Sequence, residues 1–162
     1  MSPEEICRNL GEQKVKTIFL DLTAEGMKKV LREARIPPTR LASHTSIRRR
    51  NEDWAARLWR TIAERPAVGT AATLLFEWLT RTRRPMLAQF LTALEVPHDG
   101  GLTDADFMTS SPPELLVESG RALLASHPPS EVAAYLLFLD VSNKTNIFSP
   151  LELERHLALS SS

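Results

Sequence analysis

Few residues of this chain are spaced for chemistry, and the most suggestive run lies between Asp140 and Glu152. Counted as a calcium-binding loop, Asp140 and Ser142 take the first and third positions, which supply ligands, and Ile147 takes the apolar eighth. Lys144 then falls on the fifth position, Thr145 replaces the turn glycine, and Leu151 stands where a bidentate acid should close the site. A cation site does not hold an ammonium among its ligands. The run is therefore predicted to be a helix–loop–helix connection.

His98, Asp99, Asp104 and Asp106 form a second cluster. Imidazole and carboxylates are the ligands of a divalent ion that activates water, and Gly100-Gly101 would let the backbone fold back to gather them. A metal-assisted enzyme would have to be built here. No His-x-x-x-His or cysteine pair supports it, and local uses account for the same residues. Asp99-Gly100 makes a turn, while Thr103 and Asp106 start a short helix near 103–106. Neither a metal site nor a cofactor is assigned. His44 lies among Ser43, Thr45 and Ser46, but a hydroxyl nucleophile needs a base oriented by a third group, and no Gly-x-Ser-x-Gly elbow is present. A phosphate-cradling glycine loop is also missing, so no catalytic residue is assigned. Cys7, the single cysteine, has no internal disulfide partner and is expected to be a small core residue.

What remains is positive charge. Arg48, Arg49 and Arg50 follow Arg40 and His44 in a segment expected to be a polar loop ahead of a helix capped by Asn51. Net charge is zero, yet residues 1–27 balance to −2, residues 28–84 to +9 and residues 85–162 to −7. Such a basic middle binds phosphates, an acidic protein surface or the chain's own acidic end. Arg40, Arg48, Arg49 and Arg50 are thus the candidate partner-binding residues. A non-catalytic interaction or adaptor domain that binds another macromolecule is the expected function, with a protein as the expected partner. A nucleic-acid-associated protein using the arginine loop on phosphates is the alternative, and a metal-assisted enzyme at His98 is third.

These residues must be positioned by helices. Ser2-Pro3, Ser111-Pro112 and Ser149-Pro150 each precede a glutamate in the pattern of a capping box, with proline where its missing N–H costs nothing. Apolar residues recur at helical spacing, as in Val15, Ile18, Phe19 and Leu22, or Met86, Leu87, Phe90 and Leu91. An all-α bundle or irregular helical array of about eight helices follows, near 3–20, 24–35, 52–64, 67–82, 85–95, 113–126, 130–140 and 150–158. Trp54, Trp59 and Trp78 fall on the apolar stripes and are expected in the core. A faint repeat of sixty residues aligns Val15, Ile18, Phe19, Met27, Val30, Leu31 and Ile36 with Leu75, Trp78, Leu79, Leu87, Phe90, Leu91 and Val96. The turn-rich stretch near Pro97 divides a main body with the basic loop, 1–98, from an acidic C-terminal subdomain, 99–162, packed on the same core. A length of 162 residues suits one domain overall. No export signal and no bilayer-length apolar run is visible, so no membrane association and a cytoplasmic location are expected. Fifteen arginines against five lysines point to a GC-rich bacterial genome.

Overall fold

A computed structural model of the chain describes residues 1–37, 46–65 and 69–157. Among these residues it contains ten α-helices and no strand. In chain order they are α1 Pro3–Leu10, α2 Glu12–Leu20, α3 Ala24–Glu33, α4 Ile47–Glu64, α5 Thr70–Thr82, α6 Arg84–Ala93, α7 Phe107–Ser110, α8 Pro113–Ser126, α9 Pro129–Asn143 and α10 Glu154–Leu157, with a 3-10 turn at Ser149–Leu151 before the last. The all-α expectation is met. No helix of the described residues is long and apolar enough to cross a membrane.

Several boundaries differ from expectation for identifiable reasons. The first helix divides at Gly11, whose φ of 92° lies where a side chain is disfavoured. Of the three serine–proline starts, only Ser2 makes the capping bond, accepting from the Glu5 amide at 3.2 Å. Pro112 precedes Pro113 and is thereby kept out of the helical region, so α8 begins one residue later than a Ser111 cap requires. Ser149 opens a 3-10 turn that stops at Glu152, whose φ is 49°. The short helix expected at Thr103 begins instead at Phe107, because the Thr103 hydroxyl is taken up by the Ala105 amide at 3.1 Å.

The core is a contiguous cluster drawing side chains from Ile6 to Leu157. α9 lies deep in it, with five successive residues, Val132 to Leu136, all buried. α1 packs against α4, α5, α9 and α10. Trp54 and Trp78 are buried as expected; Trp59 is only partly buried, packed on the edge of the cluster.

The sixty-residue spacing carries into the backbone. α3 and α6 cover 24–33 and 84–93, and both end in the same six-residue turn. The Ile36 amide donates to the Leu31 carbonyl at 2.9 Å and the Val96 amide to the Leu91 carbonyl at 3.0 Å. The residue that must turn left-handed is Arg35 (φ 57°) in one and Glu95 (φ 59°) in the other. Glycine usually fills that place.

One buried carboxylate fastens α9 to two distant helices. Glu131 accepts from Lys14 of α2 at 3.0 Å and from Arg83, between α5 and α6, at 2.8 and 3.2 Å. Arg83 also lies over the Trp78 ring at 5.1 Å. Burial alone would raise the carboxyl's pKa. The hydrogen bonds and charges of Arg83 and Lys14 outweigh it and hold the group below its ordinary 4.5.

Candidate functional site

The three arginines do not stand in a loop. Ser46 caps α4, its hydroxyl accepting from the Arg49 amide at 3.1 Å, so Arg48, Arg49 and Arg50 form the first turn of the helix. Asn51 is an interior residue of α4, not its cap. Two pairs four residues apart support the extra turn: Arg48 with Glu52 at 3.1 Å, and the Arg50 guanidinium 4.3 Å from the Trp54 ring centre. Arg48 is almost fully exposed. Arg40 and His44 lie outside the described residues.

Trp54 joins this turn to a second set of cations. It lines a groove of 790 Å³ with Leu31, Ile36 and Pro37, and the rim carries Lys28, Arg32 and Arg35. Those three cations are exposed. Among the described residues, none of them, nor Arg49 or Arg50, has a carboxylate within ion-pair distance; residues 38–45 contain no acid in sequence. The result is an apolar floor bordered by unpaired positive charge. Lys28, Arg32 and Arg35 were not singled out in the sequence. Lys28 and Arg32, four residues apart, share one face of α3, which was a readable signal, while Arg35 comes from the left-handed turn that follows the helix. That Trp54 sits against this face was not readable, because it depends on how α3 and α4 meet.

The other candidates turn out to hold loops in place. His98 accepts from the Gly101 amide through Nδ1 at 3.0 Å, which leaves Nε2 to carry the ring proton toward the Thr92 hydroxyl at 2.8 Å. Asp99, Asp104 and Asp106 stay exposed, and among the described residues no three His, Cys, Asp or Glu side chains gather closely enough to hold a metal. The metal-enzyme arrangement is therefore not assembled. Asp140 is buried and faces its own loop: Oδ1 accepts from the Thr145 hydroxyl at 2.6 Å and the Ile147 amide at 3.0 Å, and Oδ2 accepts from the Phe148 amide at 3.1 Å. It ties the connection after α9 much as a bound cation would. Burial pushes the Cys7 thiol up to about 12, with Glu4 adding to the shift, so this sulfur stays protonated and inert. Ser43, His44 and Thr45 lie outside the described residues, while Ser46 is spent as the cap of α4.

Comparison adds no family. No family model matches this chain, and neither the curated proteins nor the solved structures give a significant match.

Proposed function

We propose that this chain is a non-catalytic binding module, an adaptor that holds an acidic segment of another protein between α3 and the first turn of α4. The observation that carries this is the arrangement around Trp54: an apolar floor of Leu31, Ile36 and Trp54, rimmed by Lys28, Arg32 and Arg35, with Arg50 stacked on the indole. A segment presenting carboxylates around one apolar side chain would meet both the rim and the floor. The start of α4 adds a second reason. Cations at a helix N-terminus face the positive end of its dipole, at about 0.3–1 kcal/mol each, and a bound anion relieves that opposition. Glu52 offsets Arg48, whereas Arg49 has no such partner among the described residues. The lone reduced cysteine fits a cytoplasmic setting for this role.

Nucleic acid is the second possibility to test, since three arginines in one turn suit phosphates. Trp54 is only 4% exposed and presents no open ring face on which a base could stack. Such binding would use phosphates alone and fall steeply with salt.

The test uses three labelled probes: a short Asp/Glu peptide with a central leucine pair, the same peptide with serines at those positions, and a short DNA duplex. Fluorescence anisotropy should show the leucine peptide binding best, and Arg32→Glu with Arg35→Glu, both exposed at the rim, should weaken it at least tenfold without lowering the melting point. If the duplex alone binds, with a steep salt slope, the nucleic-acid assignment replaces this one. If no probe binds at millimolar protein, the basic groove is not a binding site.

A further inference from the structure

A second cavity, of 670 Å³, opens between α5, α6 and α9 and shares no residue with the basic groove. Its lining is apolar and aromatic: Phe76, Phe107 and Phe138, with Leu79 and Leu91, and the chain's single tyrosine, Tyr135. Two large apolar side chains at its edge are left in water, Phe76 at 56% exposure and Leu102 at 38%. A concave apolar site of this size with a few polar groups converging on it is the usual form of a small-molecule site.

The polar groups indicate which molecule. Asp99 and Asp104 line the cavity, both exposed, and neither has a cation within ion-pair distance among the described residues. Arg84 reaches only the Asp99 backbone carbonyl, at 3.5 Å. Tyr135 is the independent sign. It is 5% exposed, its ring is held edge-on by Phe90 at 5.6 Å, and its hydroxyl has no partner among the described residues. The hydroxyl oxygen itself is not fully enclosed, so although the ring is buried the unpartnered oxygen keeps access from the cavity that Tyr135 lines, where a ligand's polar group can meet it. Burial raises the phenol's pKa, so the hydroxyl keeps its proton and can both donate and accept.

We propose that this cavity binds a small organic amine: a protonated ammonium held by Asp99 and Asp104 at the rim, and an apolar body that carries a hydroxyl or carbonyl group to Tyr135. The acidic rim disfavours carboxylates and phosphates of the same shape. The aromatic lining adds attraction for a cation wherever a ring face is open to it. This site is independent of the basic groove and stands or falls separately from it.

The experiment titrates 8-amino-1-octanol, octylamine and 8-hydroxyoctanoate into isotopically labelled protein, read by amide chemical shifts. Amino-octanol should saturate at roughly millimolar concentration, as ligands of about ten heavy atoms do. Its shifts should cluster on α5, α9 and residues 99–104. The hydroxyoctanoate should bind about fivefold more weakly or worse, a difference that Asp99→Asn with Asp104→Asn erases. Tyr135→Phe should leave the melting point unchanged or raised, because the hydroxyl has no partner to lose. It should also weaken amino-octanol but not octylamine. Equal binding of amine and carboxylate, shifts scattered over the surface, or no saturation would each overturn the proposal. So would cavity shifts that follow protein concentration with no probe present, which would put a second copy of the chain in the cavity.

Discussion

Glu131→Gln removes one charge from the cluster that joins α9 to α2 and to the α5–α6 junction. The glutamate side chain is 7% exposed, while its partners Lys14 and Arg83 keep 19% and 28%. Deleting one member of a fully buried pair costs about 3–5 kcal/mol, since the opposite charge is left stranded. Here both cations retain water, and Arg83 keeps Asp21 at 3.5 Å and the Trp78 face. The loss at neutral pH should therefore be about 2–3 kcal/mol. Its pH dependence has a definite sign. The folded carboxyl titrates below its ordinary 4.5, so its contribution is fully present above that value and disappears as pH falls through the folded-state pKa. Urea unfolding of wild type and variant at pH 7, 5 and 3 should show a wide gap, a similar gap and a narrow one. Equal stability at pH 7 would refute the assigned role of the cluster. A gap that stays constant to pH 3 would mean that shape, not charge, was lost.

The paired turns give a matched experiment: Arg35→Gly and Glu95→Gly should each stabilise the fold by about 0.5–1 kcal/mol, because both residues hold a positive φ that glycine adopts freely. Only the Arg35 variant should also lose affinity for the acidic leucine peptide, and a loss in both would detach the effect from the groove. Asp140→Ala should cost about 3 kcal/mol, since it leaves the buried Phe148 amide without an acceptor. Hydrogen exchange at Ile147 and Phe148 should speed up in that variant, and unchanged exchange would show that another group ties the loop.

Local signals carried most of the fold into the sequence. The apolar spacing of α3, α5 and α6 and the proline starts of α8 and α9 depend on neighbours a turn away, and they can be read without tertiary structure. Errors arose where two local signals competed. Asn51 and Ser46 both suit a cap, and the pairs Arg48–Glu52 and Arg50–Trp54 decide for Ser46. At Ser111 the restriction that Pro113 imposes on Pro112 outweighs the serine cap. The left-handed turns at Arg35 and Glu95 gave no glycine to notice. The candidate sites were less legible. The run of arginines was visible but only borders the basic groove, through Arg50 on the Trp54 ring, and the groove's floor depends on Trp54 meeting α3. Tyr135 lies in a stretch of α9 buried on every side, where no periodicity separates a residue facing a cavity from one facing the core.

The position of α1 bears on how this protein is made. Its apolar residues Ile6, Cys7 and Leu10 are fully covered, and two of the helices that pack against it are α9 and α10, near the other end of the described chain. A ribosome that has just produced α1 needs on the order of ten seconds more to deliver α10. Throughout that interval the first helix lacks part of its packing. Completion of the fold is therefore late and collective, and the apolar face of α1 stays partly uncovered on the nascent chain until α9 and α10 arrive.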